Sequence, residues 1–183
     1  MAIRNQPTNI NQLNVVSFET NFLRMPGVNY FCQRVSIPGI SLSNSILSTP
    51  FANIPIEGDV LEFEDLNIGF IVDEDMQNYL ELYNWLQSLG FPEKFSQYDN
   101  ETSAIKSDVN ILIQTNKSNP NYNIVFKDVF PVSLGAIAFD TNDTTLDPIV
   151  IDATFKYTGA FTVDKLIETS SLYKFKYFVI LVI

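Results

Sequence analysis

Histidine is missing altogether from these 183 residues, so no imidazole base, catalytic triad or HExxH metal site can be built. That removes most hydrolase chemistry. Cysteine occurs once, at Cys32, which rules out an internal disulfide and any Cys/His cluster able to hold zinc. Synthesis in a reducing cytosol is the natural expectation. The seven glycines are scattered, and none forms a phosphate-cradling loop. Positive charge is scarce as well: eleven Lys and Arg stand against twenty-one Asp and Glu, a formal net charge of −10. A field of that sign repels phosphates and anionic lipid, so direct nucleic-acid binding and membrane insertion are both disfavoured. Met1 to Asn14 holds no apolar segment of signal-peptide length, so export by that route is not expected. Sequons at Asn100, Asn116 and Asn142 then read as chance products of an Asn/Ser/Thr-rich chain. No cofactor is called for.

What is present is apolar and aromatic. The chain is 46% hydrophobic, 13% aromatic and 17% charged, too apolar for disorder and long enough for one solid core. Fifteen Phe and eight Tyr favour strands over helices.

Leu13–Glu19 reads as a first strand and Val28–Ile37 as a second, with Met25-Pro26-Gly27 as the turn between them. From Gly39 to Gly58 runs a long connection broken by Pro50 and Pro55, a length uncommon inside a compact domain unless it serves a purpose. Its apolar residues are Ile40, Leu42, Ile46, Leu47, Phe51, Ile54 and Ile56. Val60–Val72 alternates on odd positions through Phe63 and on even ones from Leu66, a phase slip that fits a β-bulge, or else two short strands with a kink.

Asp73-Glu74-Asp75 supplies a helix cap and an acidic first turn. Met76, Tyr79, Leu80, Tyr83, Leu86 and Leu89 follow at helical spacing, widened by Leu82 and Trp85, and Gly90 with Pro92 ends the run. The one expected helix is therefore about residues 74–89. Strands resume at Ser107–Thr115 and Tyr122–Val129 around a hairpin loop. Phe130-Pro131 is expected to break the ladder before a strand at Leu134–Phe139. Ile149–Tyr157 alternates cleanly, and Trp85, Tyr83, Leu86, Phe155 and Tyr157 are assigned to the core. The fold class is mainly β: an antiparallel sandwich or partly closed barrel of about seven strands with one flanking helix. Leu172–Ile183 ends in an apolar run too short to cross a bilayer; pairing with a neighbour and ordinary burial both remain open for it.

Candidate chemistry is thin. Glu62 and Glu64 would share one face of a strand, as a carboxylate pair for glycoside hydrolysis must, but a solvated polar face explains them more simply. Asp73-Glu74-Asp75 is better explained as a cap than as a metal site. Asp140-Thr141-Asn142-Asp143 lacks the glycine and distal Glu of an EF-hand and reads as a turn.

Taken in order, these segments resemble the tail tube proteins of contractile-tailed bacteriophages, which are related in fold to the type VI secretion tube protein. Ile37-Pro38-Gly39 closes a strand pair, an arm follows, and Gly58-Asp59 opens the stretch LEFEDLNIGFIVDED. A helix around Trp85, a hairpin, the segment Phe126–Gly135 and the closing strand Ile149–Tyr157 complete the match.

The resemblance implies a β domain over residues 13–163; an N-terminal segment (1–12) precedes it, and the C-terminal extension (164–183) departs from the family's usual ending shortly after the last strand. It implies six-membered rings of identical subunits, stacked around a lumen that DNA passes without specific binding. Arm residues would contact neighbouring subunits, and sheath and baseplate proteins would surround the tube in the virion. An acidic wall suits such a conduit, because it does not retain phosphate. A tube-initiating ring of the baseplate shares the implied fold. The rival from another class is a carbohydrate-binding β-sandwich of a tail fibre.

Overall fold

The computed structural model describes residues 10–90, 105–142 and 147–166. The apolar run Leu172–Ile183 and most of the loop after Gly90, for which expectations were given above, lie outside these residues.

Nine strands and two helices occur among the described residues, in the order β1 Phe18–Phe22, α1 Pro26–Phe31, β2 Cys32–Ser36, β3 Ile40–Ser48, β4 Asn53–Phe63, β5 Leu66–Ile71, α2 Gln77–Leu89, β6 Ser107–Gln114, β7 Pro120–Leu134, β8 Val150–Lys156 and β9 Thr162–Lys165. Seven strands make one antiparallel sheet in the order β1-β6-β7-β8-β5-β2, with β9 also paired to β7; β3 and β4 form a separate two-stranded sheet. The mainly β antiparallel class expected from the sequence is the one observed. The large sheet curls on itself without closing into a barrel.

β7 makes the curl. Its first half pairs with β6 and β9 and its second half with β8. Between them Asp128 takes the left-handed conformation, φ 54°, opposite a register shift in β6. This is a β-bulge, and the Asp108 carboxylate accepts the Asp128 N–H at 3.1 Å. The expected break at Phe130-Pro131 does not occur: Pro131 stays opposite Phe155 of β8, in the stretch past Val129 where β6 no longer pairs and β7 is an edge on that side, a place where proline is tolerated. Nor does the strand expected over Leu134–Phe139: Gly135 N–H closes the ladder on the Asp152 carbonyl at 2.8 Å, and Phe139 is exposed.

Alternating residues of β5, β6, β7 and β8 point into one core that includes Leu66, Ile68, Phe70, Ile111, Phe126 and Phe155. Phe22 of β1 meets Phe155 of β8 at 5.6 Å between ring centroids, which shows how far the sheet folds over.

Three further expectations are corrected. Val28–Ile37 is not one strand, since residues 26–31 are helical with Pro26 at the first turn, where its fixed φ is favourable. Val28 is buried, and the Asn29 side chain accepts the Phe22 N–H at 2.6 Å and donates to the Phe22 carbonyl at 3.1 Å, acting as a strand partner for β1. The first strand accordingly lies at Phe18–Phe22, later than Leu13–Glu19. The phase slip in Val60–Val72 marks two strands in different sheets, β4 and β5, not a bulge in one.

The main helix starts at Gln77, and Asp73 does not cap it. Met76 holds the cap position in a left-handed conformation with no side-chain cap bond. A buried Asn78 does the anchoring instead: its oxygen accepts the Asp73 N–H at 3.2 Å and its amide donates to the Ile71 carbonyl at 2.7 Å.

Candidate functional site

Gly39 to Gly58 is not an irregular arm. The eleven-residue β4 pairs antiparallel with the nine-residue β3 through eight partner pairs, and the hairpin forms a sheet separate from the large one. Its base is closed at Glu64, whose N–H donates to the Gly39 carbonyl at 3.1 Å while its carboxylate accepts the Gly39 N–H at 3.3 Å. Glu64 is thereby a structural residue, not half of a carboxylate pair with Glu62, which lies within β4 opposite Ser41. At the tip the Thr49 hydroxyl donates to the Ala52 carbonyl at 2.6 Å and accepts the Ala52 N–H at 3.1 Å.

The apolar side chains of this hairpin are left about half uncovered or more. Ile40, Leu42, Ile46, Leu47, Ile54 and Ile56 are all exposed, and Phe51 at the tip is 99% exposed. Register sorts them by face. Near the base Ile40 pairs with Phe63 and Leu42 with Leu61; near the tip Leu47 pairs with Ile54 and Ser45 with Ile56, while Ile46 faces Pro55 on the other side. Sequence reasoning missed Val60 and Leu61, which are exposed on the same hairpin and continue its apolar surface.

Between the two halves β4 carries extra residues opposite Ser43, and the Ser43 hydroxyl accepts the Val60 N–H at 3.3 Å. A β-carbon on Gly58 would lie 2.5 Å from the Ser43 carbonyl oxygen. Gly58→Val is therefore expected to unzip the hairpin locally. Hydrogen exchange should quicken at β3 and β4 amides while the melting temperature of the sheet moves little, because the hairpin melts as its own unit. Protected amides in the variant would refute this.

The residues assigned to the core divide. Trp85 is 2% exposed, and Phe155 is buried beside it at 6.2 Å between centroids. Tyr157 is half-buried, stacked edge-on against Phe126 at 5.0 Å, and its hydroxyl donates to the Glu64 carbonyl at 3.1 Å. Burial, reinforced by the nearby Asp65 charge, raises its pKa, so the phenol stays protonated as that donor. Leu86 is only half-buried, and Tyr83 is 43% exposed, outside the core. The helix turns Asn78, Leu82 and Trp85 inward, which puts Tyr79, Tyr83 and Leu86 on its flank, where they line an open groove with Val132 and Leu134 of β7.

Cys32 is half-buried, and desolvation pushes its thiol above the usual range, the reverse of an activated nucleophile. No group of three or more Cys, Asp or Glu among the described residues could hold a metal ion. No helix among them is long and apolar enough to cross a membrane. What the surface offers is unpaired sheet edge and uncovered apolar hairpin, both suited to binding protein.

The model of the phage tail tube protein family matches residues 5–162. No curated protein sequence matches the chain. Among solved structures, the tube-terminating cap of the anti-feeding prophage superposes with a TM-score of 0.60 at 14% identity, covering 91% of this chain and 100% of the other. A chain of the six-fold symmetrised baseplate of the same prophage gives 0.55 at 13%, covering 80% and 89%. The sheath-tube complex of an extracellular contractile injection system, PVC, in its extended state gives 0.56 at 17%, covering 85% and 93%.

Proposed function

Because the chain belongs to the phage tail tube protein family, we propose that its copies join edge to edge into six-membered rings, which stack into a tube around a lumen for DNA. The role is structural, and no reaction is catalysed. The observation that carries this reading is the hairpin: a two-stranded sheet does not sustain itself in water, yet this one keeps its apolar residues uncovered, as a surface awaiting an identical neighbour does. Open edges at β1, β2 and β9 supply main-chain donors and acceptors for lateral pairing, and ring closure removes them from solvent. Six is the symmetry imposed on the baseplate that the fold resembles.

Sheath and baseplate proteins are the expected neighbours in the virion tail, with synthesis in the host cytoplasm. DNA would pass without specific binding, since a chain of net charge −10 has little to offer phosphate. Negative-stain micrographs of the purified protein should show rings or filaments of uniform width. Monodisperse monomers at every concentration would overturn the proposal.

A further inference from the structure

We infer that the tip of the β3–β4 hairpin, led by Phe51, docks into the groove between α2 and the end of β7 on a second copy of this chain. The inference rests on the tube reading and names the two faces that meet. Each copy carries a net charge of −10, so identical molecules repel one another on average, and that repulsion is least where two uncharged surfaces meet. Two such surfaces stand out. From Val35 to Ile56 the sequence contains no Asp, Glu, Lys or Arg, so the whole of β3, the tip and the first strand-half of β4 are uncharged. The groove has a volume of about 690 Å³ and is lined by Tyr79, Tyr83, Leu86, Gln87, Val132 and Leu134, again with no charged side chain.

The shapes are complementary as well as the charges. One surface is a projecting knob, with Phe51 wholly in solvent, and the other is a recess with an aromatic wall. That wall is preformed: Tyr79 and Tyr83 stack 6.4 Å apart, and Gln87 donates to the Tyr83 hydroxyl at 2.6 Å, fixing the ring. A phenyl ring entering there gains aromatic contact without requiring the groove to rearrange. Because knob and groove are different patches of one surface, the contact is head-to-tail, leaving every bound copy with a free knob or a free groove for the next. Propagation follows from one contact.

The test uses single thiols on full-length chains in which Cys32→Ser removes the native one. One protein carries Phe51→Cys and a second carries Val132→Cys; each is air-oxidised alone and in mixture. A disulfide-linked dimer in the mixture, and in neither protein alone, is the expected result. Ile54→Cys mixed with Leu86→Cys repeats the measurement, so that a variant that fails to fold does not shield the inference. Dimers of Phe51→Cys alone would mean that tips meet tips and would overturn it. Rings or filaments in micrographs without a mixed cross-link from either pair would overturn it while leaving the tube reading intact. Absence of both cross-link and assembly would sink the two together.

Discussion

Phe51→Asp combined with Ile54→Asp is expected to give a folded chain that no longer polymerises. Both side chains are exposed, so the isolated fold has little to lose. Covering them in an assembly is a different matter, since burying a Phe or an Ile is worth about 1.5–3 kcal/mol each. Losing both removes about 3–6 kcal/mol per contact, which lowers the association constant by about two to four orders of magnitude before the cost of burying new carboxylates is added. Light scattering and electron microscopy read the assembly, and circular dichroism reads the fold. Unchanged polymerisation would take the hairpin out of the interface altogether.

Trp85→Ala should do the opposite, leaving the outer surface intact and weakening the fold. The indole is enclosed by Phe155, its N–H donates to the Ile105 carbonyl at 2.9 Å, and the Arg24 guanidinium lies 4.9 Å from the ring centre. Removing a buried Trp costs about 3–5 kcal/mol in lost transfer energy and residual cavity. For a chain of this length that corresponds to a fall of about 6–20 °C in melting temperature. Trp85→Phe keeps most of the volume but strands the Ile105 carbonyl, so its penalty should be smaller. Thermal melts of the two variants check the order, and a Trp85→Ala protein as stable as the parent would show that the indole is not a core element.

The strongly patterned elements were legible without coordinates. Ile151, Ala153 and Phe155 alternate with Asp152, Thr154 and Lys156, and β8 buries the first set as the period demands. The helical run through Trp85 was equally plain, but its phase was not. Tyr79, Tyr83 and Leu86 have the same spacing as a core stripe, and only the position of β7 leaves them on the flank. The hairpin showed the same limit. Its residues pointed to a surface for partners, yet prolines and serines concealed two regular strands, because strand pairing depends on register between segments and not on local propensity.

By itself the sequence determined the fold class: an aromatic, alternating chain favours a β-rich core, and the missing imidazole and single thiol exclude histidine-based and Cys/His chemistry. Tertiary structure decided which apolar residues that core leaves outside. Burial belongs to the geometry of neighbours far apart in the chain, as when Asn29 completes β1 or the bulge at Asp128 carries β7 from one layer to the other. A hydrophobic side chain looks the same in the sequence whether its partner is its own sheet or the next molecule.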